Sequence, residues 1–164
     1  MIAVSNTTPL RYLIAIKIES LLGQLFEKVF IPTAVYEELT DEKTPEPVRH
    51  WMSSLPAWME VRNVADAPVS KFSVTLHRGE REAIALAESL RSDVLLMDEQ
   101  TGRAVALSRN LPVSGTLGVL ERLDKLGLLN DFPCVLQDLR RSGFSVSDSL
   151  EQLLLERHQK RFGK

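Results

Sequence analysis

The stretch Arg78–Asp98, RGEREAIALAESLRSDVLLMD, joins a helix, a short connection and a strand. The helix is expected to begin after Gly79. Counting from Glu80, the positions three, four and seven further on are Ala83, Ile84 and Ala87, which share one helix face. Glu80 therefore heads a stripe that is otherwise small and apolar. Asp93-Val-Leu-Leu-Met97 then reads as a buried strand that ends on Asp98. One carboxylate starts a buried helix face and another closes a buried strand. An inward-pointing carboxylate is costly unless it is paired, protonated or bound to a metal. That cost is the first indication of a site.

The same alternation runs outward from this stretch. Ile2–Ser5 reads as a strand and Asn6-Thr7-Thr8-Pro9 as a turn into a helix, with Thr7 or Thr8 as cap and Pro9 at its first position. A second helical piece covers 18–26. Lys28–Ile31 is a strand, and Ala34–Leu39 a helix whose Val35 and Leu39 face the core. A polar loop with Pro45 and Pro47 precedes a short helix over 48–55, and 58–64 reads as a third strand. A loop is expected over 66–74. After Asp98, a helix over 99–108 leads to Leu111–Ser114, where Pro112 marks an edge strand. Gly115-Thr116 opens a helix with Leu117, Leu120, Leu123 and Leu126 on its apolar side, and Gly127 stops it. Pro133 opens a helix that ends near Gly143. Asp148 stands three residues before Glu151, a capping-box spacing with Asp as the cap. The last helix carries Leu150, Leu153 and Leu154, read as core or as a joint between two subunits. Strands alternating with helices predict an α/β fold with a mainly parallel sheet, whose ligands collect at the C-terminal strand ends.

Length and composition narrow the class. The 164 residues suit a single domain over 1–164. Hydrophobic residues make up 44% and aromatics 6%, so the core must be aliphatic. No apolar run approaches the roughly 20 residues a membrane span needs. The start lacks the basic region of a signal peptide and Cys134 is the lone cysteine, so a cytoplasmic protein is expected. The formal net charge of −2 is not the footprint of a strongly basic nucleic-acid binder. The basic cluster Arg157-His158-Gln159-Lys160-Arg161 reads either as cations complementing a helix C-terminus or as an RNA contact. His50, His77 and His158 are isolated, with no zinc spacing, and each reads as a surface residue.

The residues near the predicted strand ends are chemically uniform. Asn6 ends the first strand, Asp98 the fourth, and Ser114-Gly115-Thr116 follows the fifth. Glu38 and Glu80 lie on helices that could turn toward the same edge. Oxygen-only donors of this kind suit Mg²⁺ or Mn²⁺. Ordinary roles stand beside these. Asp98 could cap the next helix, Glu80 could serve the helix dipole, Glu38 could be solvated, and Thr7, Thr8 and Thr116 could be caps.

Several segments, taken in order, resemble a known family. They are VSNTTPLRYL (4–13), IPTAVYEEL (31–39), RGEREAIALA (78–87), DVLLMDEQTGRAVA (93–106), PVSGTLGVL (112–120) and GFSVSDSL (143–150). Together they look like a PIN domain of the DUF3368 branch, within the VapC-like toxin ribonuclease superfamily. The resemblance spans almost the whole chain apart from 40–74. It implies a sheet of about five parallel strands with helices on both faces and a divalent-metal ribonuclease site. The family's acids fall on Asn6, Glu38, Glu80 and Asp98, as Mg²⁺ or Mn²⁺ ligands. Glu38, Glu80 and Asp98 carry the catalysis, and Ser5, Thr7 and Thr116 position phosphate or water. A further acid of many PIN domains falls on Gln100 and is absent. Glu82 is a rival for Glu80, but it lies about 200° away around the helix, so the two do not face one metal. Asn6 stands where the family usually has Asp, which lowers the site's charge from −4 to −3 and weakens its pull on a dication. The resemblance implies a ribonuclease toxin with an RNA substrate, a small antitoxin and a homodimer. The alternative is a catalytically weakened scaffold that binds RNA or a protein partner.

Overall fold

The central strands are continuous apolar runs, and successive residues in them enter opposite faces, which splits the core in two. The computed structural model describes residues 1–64 and 76–163. In it β1 (Ile2–Ser5), β2 (Lys28–Pro32), β3 (Met59–Arg62), β4 (Val94–Leu96) and β5 (Val113–Ser114) form one sheet in the order β3-β2-β1-β4-β5. Every pairing is parallel. Ala3, Val29, Ile31 and Leu96 enter one core, and Val4, Phe30, Leu95 and Met97 the other. Neighbours on a strand point to opposite faces, and a parallel sheet covered on both faces buries both sets. The expected loop at 66–74 lies outside the described residues.

The first core packs under α1 (Thr7–Ala15), α2 (Leu22–Leu25), α3 (Thr33–Thr40), α4 (Glu46–Met52), α7 (Thr116–Lys125), α8 (Phe132–Arg141) and α9 (Asp148–Phe162). A 3₁₀ turn, Glu19–Leu21, leads into α2. The second core packs under α5 (Arg78–Leu90) and α6 (Gln100–Ser108). The chain moves outward from β1 through β2 to β3, then returns to place β4 on the other side of β1. That reversal makes the C-terminal ends of β1 and β4 the switch point, where a ligand crevice opens in doubly wound sheets. Among the described residues no helix is long and apolar enough to cross a membrane.

Several helix ends differ from the sequence expectation, each for a local reason. The helix of the opening stretch begins at Arg78, one residue before Gly79, because Glu80 Oε1 turns back to accept from the His77 backbone N–H at 3.1 Å. α1 begins at Thr7, so Pro9 takes its third position instead of its first. That is tolerated because the first four helical N–H groups have no intrahelical partner. Thr7 and Thr8 do not cap; their hydroxyls donate to Glu38 and Glu99. Ser147, not Asp148, caps α9 by accepting from Leu150 N. Asp148 and Glu151 instead both meet Arg140. Leu126, Leu150 and Leu153 are exposed, Leu154 is buried as expected, and Val119 is a further buried residue of α7. Gly127 follows α7 with φ 71°, as a helix stop should.

The basic tail is more than a dipole complement, because three of its side chains meet acids of α7. His158 and Arg161 reach the buried Asp124 of α7, and Arg157 and Arg161 reach Glu121. His158 is therefore no isolated surface residue: its ring also packs against Phe132 and Phe162.

Candidate active site

Four elements deliver polar side chains to the switch point. Asn6 follows β1, and its backbone N–H donates to Leu96 O at 2.9 Å, fixing it beside β4. Glu99 stands three residues past the end of β4 and immediately before α6. Glu38 comes from α3, which follows β2. Glu80 lies in the first turn of α5. Because α5 leads into β4, its N-terminus sits at the C-terminal edge of the sheet. Asn6, Glu38, Glu80 and Glu99 line one pocket of about 450 Å³, together with Thr7, Thr8, Arg11, His77 and Arg78.

The side chains there are tied by neutral donors. Asn6 Nδ2 donates to Glu99 Oε2 at 3.0 Å, and Thr8 Oγ1 to Glu99 Oε1 at 2.5 Å. Thr7 Oγ1 donates to Glu38 Oε2 at 2.6 Å. Glu80, 6% exposed, takes the His77 backbone N–H. Glu38, Glu80 and Glu99 form no ion pair among the described residues. Arg78, though it lines the pocket, is bound to Glu82 and Glu37. Two glycines make room. A Cβ on Gly79 would lie 2.6 Å from Glu38 Oε1 and 3.5 Å from Asn6 Oδ1. One on Gly102 would lie 3.0 Å from Glu80 Oε2.

The sequence-predicted residues divide into those this pocket gathers and those it does not. Asn6, Glu38, Glu80 and Thr7 line it. Asp98 faces a different cavity, with Arg103, Ser114 and Gly115. Its carboxylate accepts from Thr116 N at 2.7 Å and Thr116 Oγ1 at 2.6 Å, so it serves the N-terminus of α7 instead of the helix that follows it. Burial pushes the Asp98 carboxyl above its usual value, against the lowering effect of the two Thr116 hydrogen bonds. Thr116 is thereby committed to Asp98. Ser5 is fully buried and donates to Asn6 O. Glu82 is removed as a rival: it accepts from Ala34 N at 3.1 Å and pairs with Arg78. It serves the start of α3, where Pro32 has no side chain able to cap.

Glu99, Thr8 and Arg11 were not foreseen as pocket residues. The signal for Glu99 was available: two consecutive acids after a buried strand point in different directions, so only one can follow the line of Asp98. Nothing in the sequence marks Arg11.

The donor set is oxygen throughout, the chemistry that Mg²⁺ and Mn²⁺ select. Among the described residues no group of three or more His, Cys, Asp or Glu is gathered closely enough to hold a metal ion. The pocket still fits a hard cation in kind. It gathers three carboxylates that form no ion pair among the described residues, an amide oxygen, and the space left by Gly79.

A family model, DUF3368, described as a PIN domain, matches residues 2–160. No curated protein matches the chain.

Proposed function

The chain belongs to the PIN-domain family, a nuclease fold, and from that premise we propose that it is a divalent-metal-dependent ribonuclease hydrolysing RNA phosphodiester bonds. The observation that carries this reading is the pocket at the switch point, where Glu38, Glu80 and Glu99 meet, among the described residues, only neutral donors. Asn6, Glu38, Glu80 and Glu99 would hold Mg²⁺ or Mn²⁺, with Glu99 in the place that the sequence suggested for Asp98. The bound ion would supply a lowered pKa for water and neutralisation of charge on the phosphate.

The chain's own residues then have distinct tasks. Arg11 lines the pocket as an exposed cation and meets the phosphate oxygens. Glu38 is the exposed acid of the set. Its Oε1 takes the proton from the water that attacks phosphorus, while the departing ribose oxygen regains a proton from solvent. Thr7 holds Glu38 in place through its 2.6 Å hydrogen bond. Asn6 turns Glu99 toward the pocket, and Asp98 with Thr116 anchors α7 against the end of β4.

Family membership alone supports the rest: one PIN-like domain over 1–164, acting in the cytoplasm as a homodimeric toxin neutralised by a small antitoxin. A second reading has its own observation. Asn6 leaves the site one charge short, and Asn6 Nδ2 already occupies Glu99. That favours a scaffold that binds RNA or a protein partner with weak catalysis. Calorimetry with Mn²⁺ and an RNA cleavage assay separate the two. Saturable Mn²⁺ binding and cleavage, both lost in Glu80→Gln, are expected of the enzyme. If neither is present in the parent, and Asn6→Asp restores neither, the ribonuclease reading is wrong.

A further inference from the structure

The first helix does not stop on glycine. Lys17 takes the left-handed position after α1, with φ 62°, where glycine is the usual residue. Lys17 N–H donates to Ile14 O at 3.0 Å and Ile18 N–H to Leu13 O at 3.1 Å, which closes the helix and turns the chain into the 3₁₀ turn. Between this end of α1 and α4 lies a cavity of about 410 Å³. Its walls are apolar and aromatic: Ile14 and Val48 are buried, Tyr12 and Trp51 half-buried. Its rim is cationic. Arg11 and Lys17 are exposed there, and their side chains make no hydrogen bond or ion pair among the described residues. The exposed imidazole of His50 stands with them. Glu19 is the one acid among the cavity's described lining residues, and its Oε2 is buried away from solvent.

We propose that this cavity binds a small aromatic carboxylate, with its ring against Trp51 and Tyr12 and its negative charge on Lys17 and Arg11. Cavities of roughly 300–1,000 Å³ with mostly apolar walls and a few charged groups are the usual form of a small-molecule site. Aromatic walls favour a flat ring, which they meet by face or edge. Cations without a partner favour an anion, and a charge-assisted contact is stronger beside an apolar wall than in water. A protein segment fits less well. Stable protein interfaces bury on the order of 800 Å² on each partner, and the large hydrophobic residues exposed among those described, such as Leu107, Leu126 and Leu153, all lie outside the cavity. A nucleotide shares the negative charge, but bases are read by hydrogen bonds to their edges, and these walls offer few neutral polar groups beyond Tyr12 and Ser142. The site does not depend on the acid pocket being a nuclease.

The test is isothermal calorimetry with 2-naphthoate and its neutral counterpart 2-naphthylmethanol, in EDTA so that no divalent ion draws the anion to the acid pocket. 2-Naphthoate is expected to bind saturably at one site, and the neutral compound at least about tenfold more weakly, the worth of one charge-assisted contact. Lys17→Glu should weaken 2-naphthoate at least about tenfold and leave the neutral compound within about threefold of its parent affinity. Ala15 is exposed on the cavity wall, so Ala15→Trp fills the space and should abolish binding of both compounds. Lys17→Glu keeps the test valid if the Ala15 variant unfolds. No saturable binding of 2-naphthoate, equal affinity for the neutral compound, an affinity that Lys17→Glu leaves unchanged, or binding that survives in folded Ala15→Trp overturns the proposal. UMP or AMP binding more tightly than 2-naphthoate also overturns it, and would make the cavity a nucleotide site.

Discussion

Asp124 and Glu80 are both buried carboxylates, 1% and 6% exposed, on helices that pack on opposite faces of the sheet. The chain answers them differently. Asp124 receives Arg161 Nη2 at 2.6 Å and His158 Nδ1 at 2.8 Å, both from α9. Glu80 receives one backbone N–H. Desolvating a carboxylate costs several kcal/mol unless an opposite charge compensates it. At Asp124 the chain supplies that charge, and the cluster is closed. At Glu80, with Glu38 and Glu99 beside it, the described residues do not. The contrast separates acids that hold α9 on the domain from acids left available to a cation from outside.

The contrast breaks if the two acids respond alike to neutralisation. Asp124→Ala should show the largest effect. It strands His158 and Arg161, and breaking a buried pair costs about 3–5 kcal/mol, or a fall in Tm of roughly 10 °C for a chain of this size. Thermal denaturation should show this, with cleavage per folded molecule unchanged. Glu80→Gln should do the reverse. Cleavage should fall by at least about 100-fold, the upper end of what losing even an outer partner of a metal ligand costs. Its Tm should hold or rise slightly, since Gln keeps an acceptor for His77 N–H and removes an unpaired charge. A large loss of stability in Glu80→Gln would make Glu80 a structural acid like Asp124.

The alternation of strands and helices was legible in the sequence because burial on two faces imprints short continuous apolar runs on the central strands, as in Ala3-Val4 and Leu95-Leu96-Met97. Which acid enters the pocket was not. Residues 98 and 99 both follow β4, and only the chain's path past Leu96 decides that Asp98 meets Thr116 while Glu99 meets Asn6 and Thr8. The same limit hid the partners of the basic tail: periodicity places His158 and Arg161 on a helix but cannot name Asp124 as what they face. Caps failed where polar residues run consecutively, as with Ser147 and Asp148. Paired substitutions sharpen the comparison at this point. Glu99→Gln should weaken Mn²⁺ affinity about tenfold. Asp98→Asn should leave that affinity within about threefold and cost about 1 kcal/mol of stability through the lost cap on α7. Calorimetry that returned the opposite order would put Asp98 at the metal and Glu99 in the supporting frame.

The smallest effect is expected at Gly79, where a single methyl group tests whether the open cluster needs its space. A Cβ there would lie 2.6 Å from Glu38 Oε1, closer than such atoms pack. Glu38 is exposed and flexible, so its carboxylate swings aside and the fold absorbs the change at little cost. Ala in place of Gly within a helix even favours folding by up to about 1 kcal/mol. Gly79→Ala should therefore be as stable as the parent or slightly more so, while Mn²⁺ affinity and cleavage fall a few-fold because Glu38 no longer faces Asn6. Stability and function moving in opposite directions is what an acid cluster built for an external cation predicts. At Asp124, where the cation Arg161 belongs to the chain, no substitution should separate the two in this way.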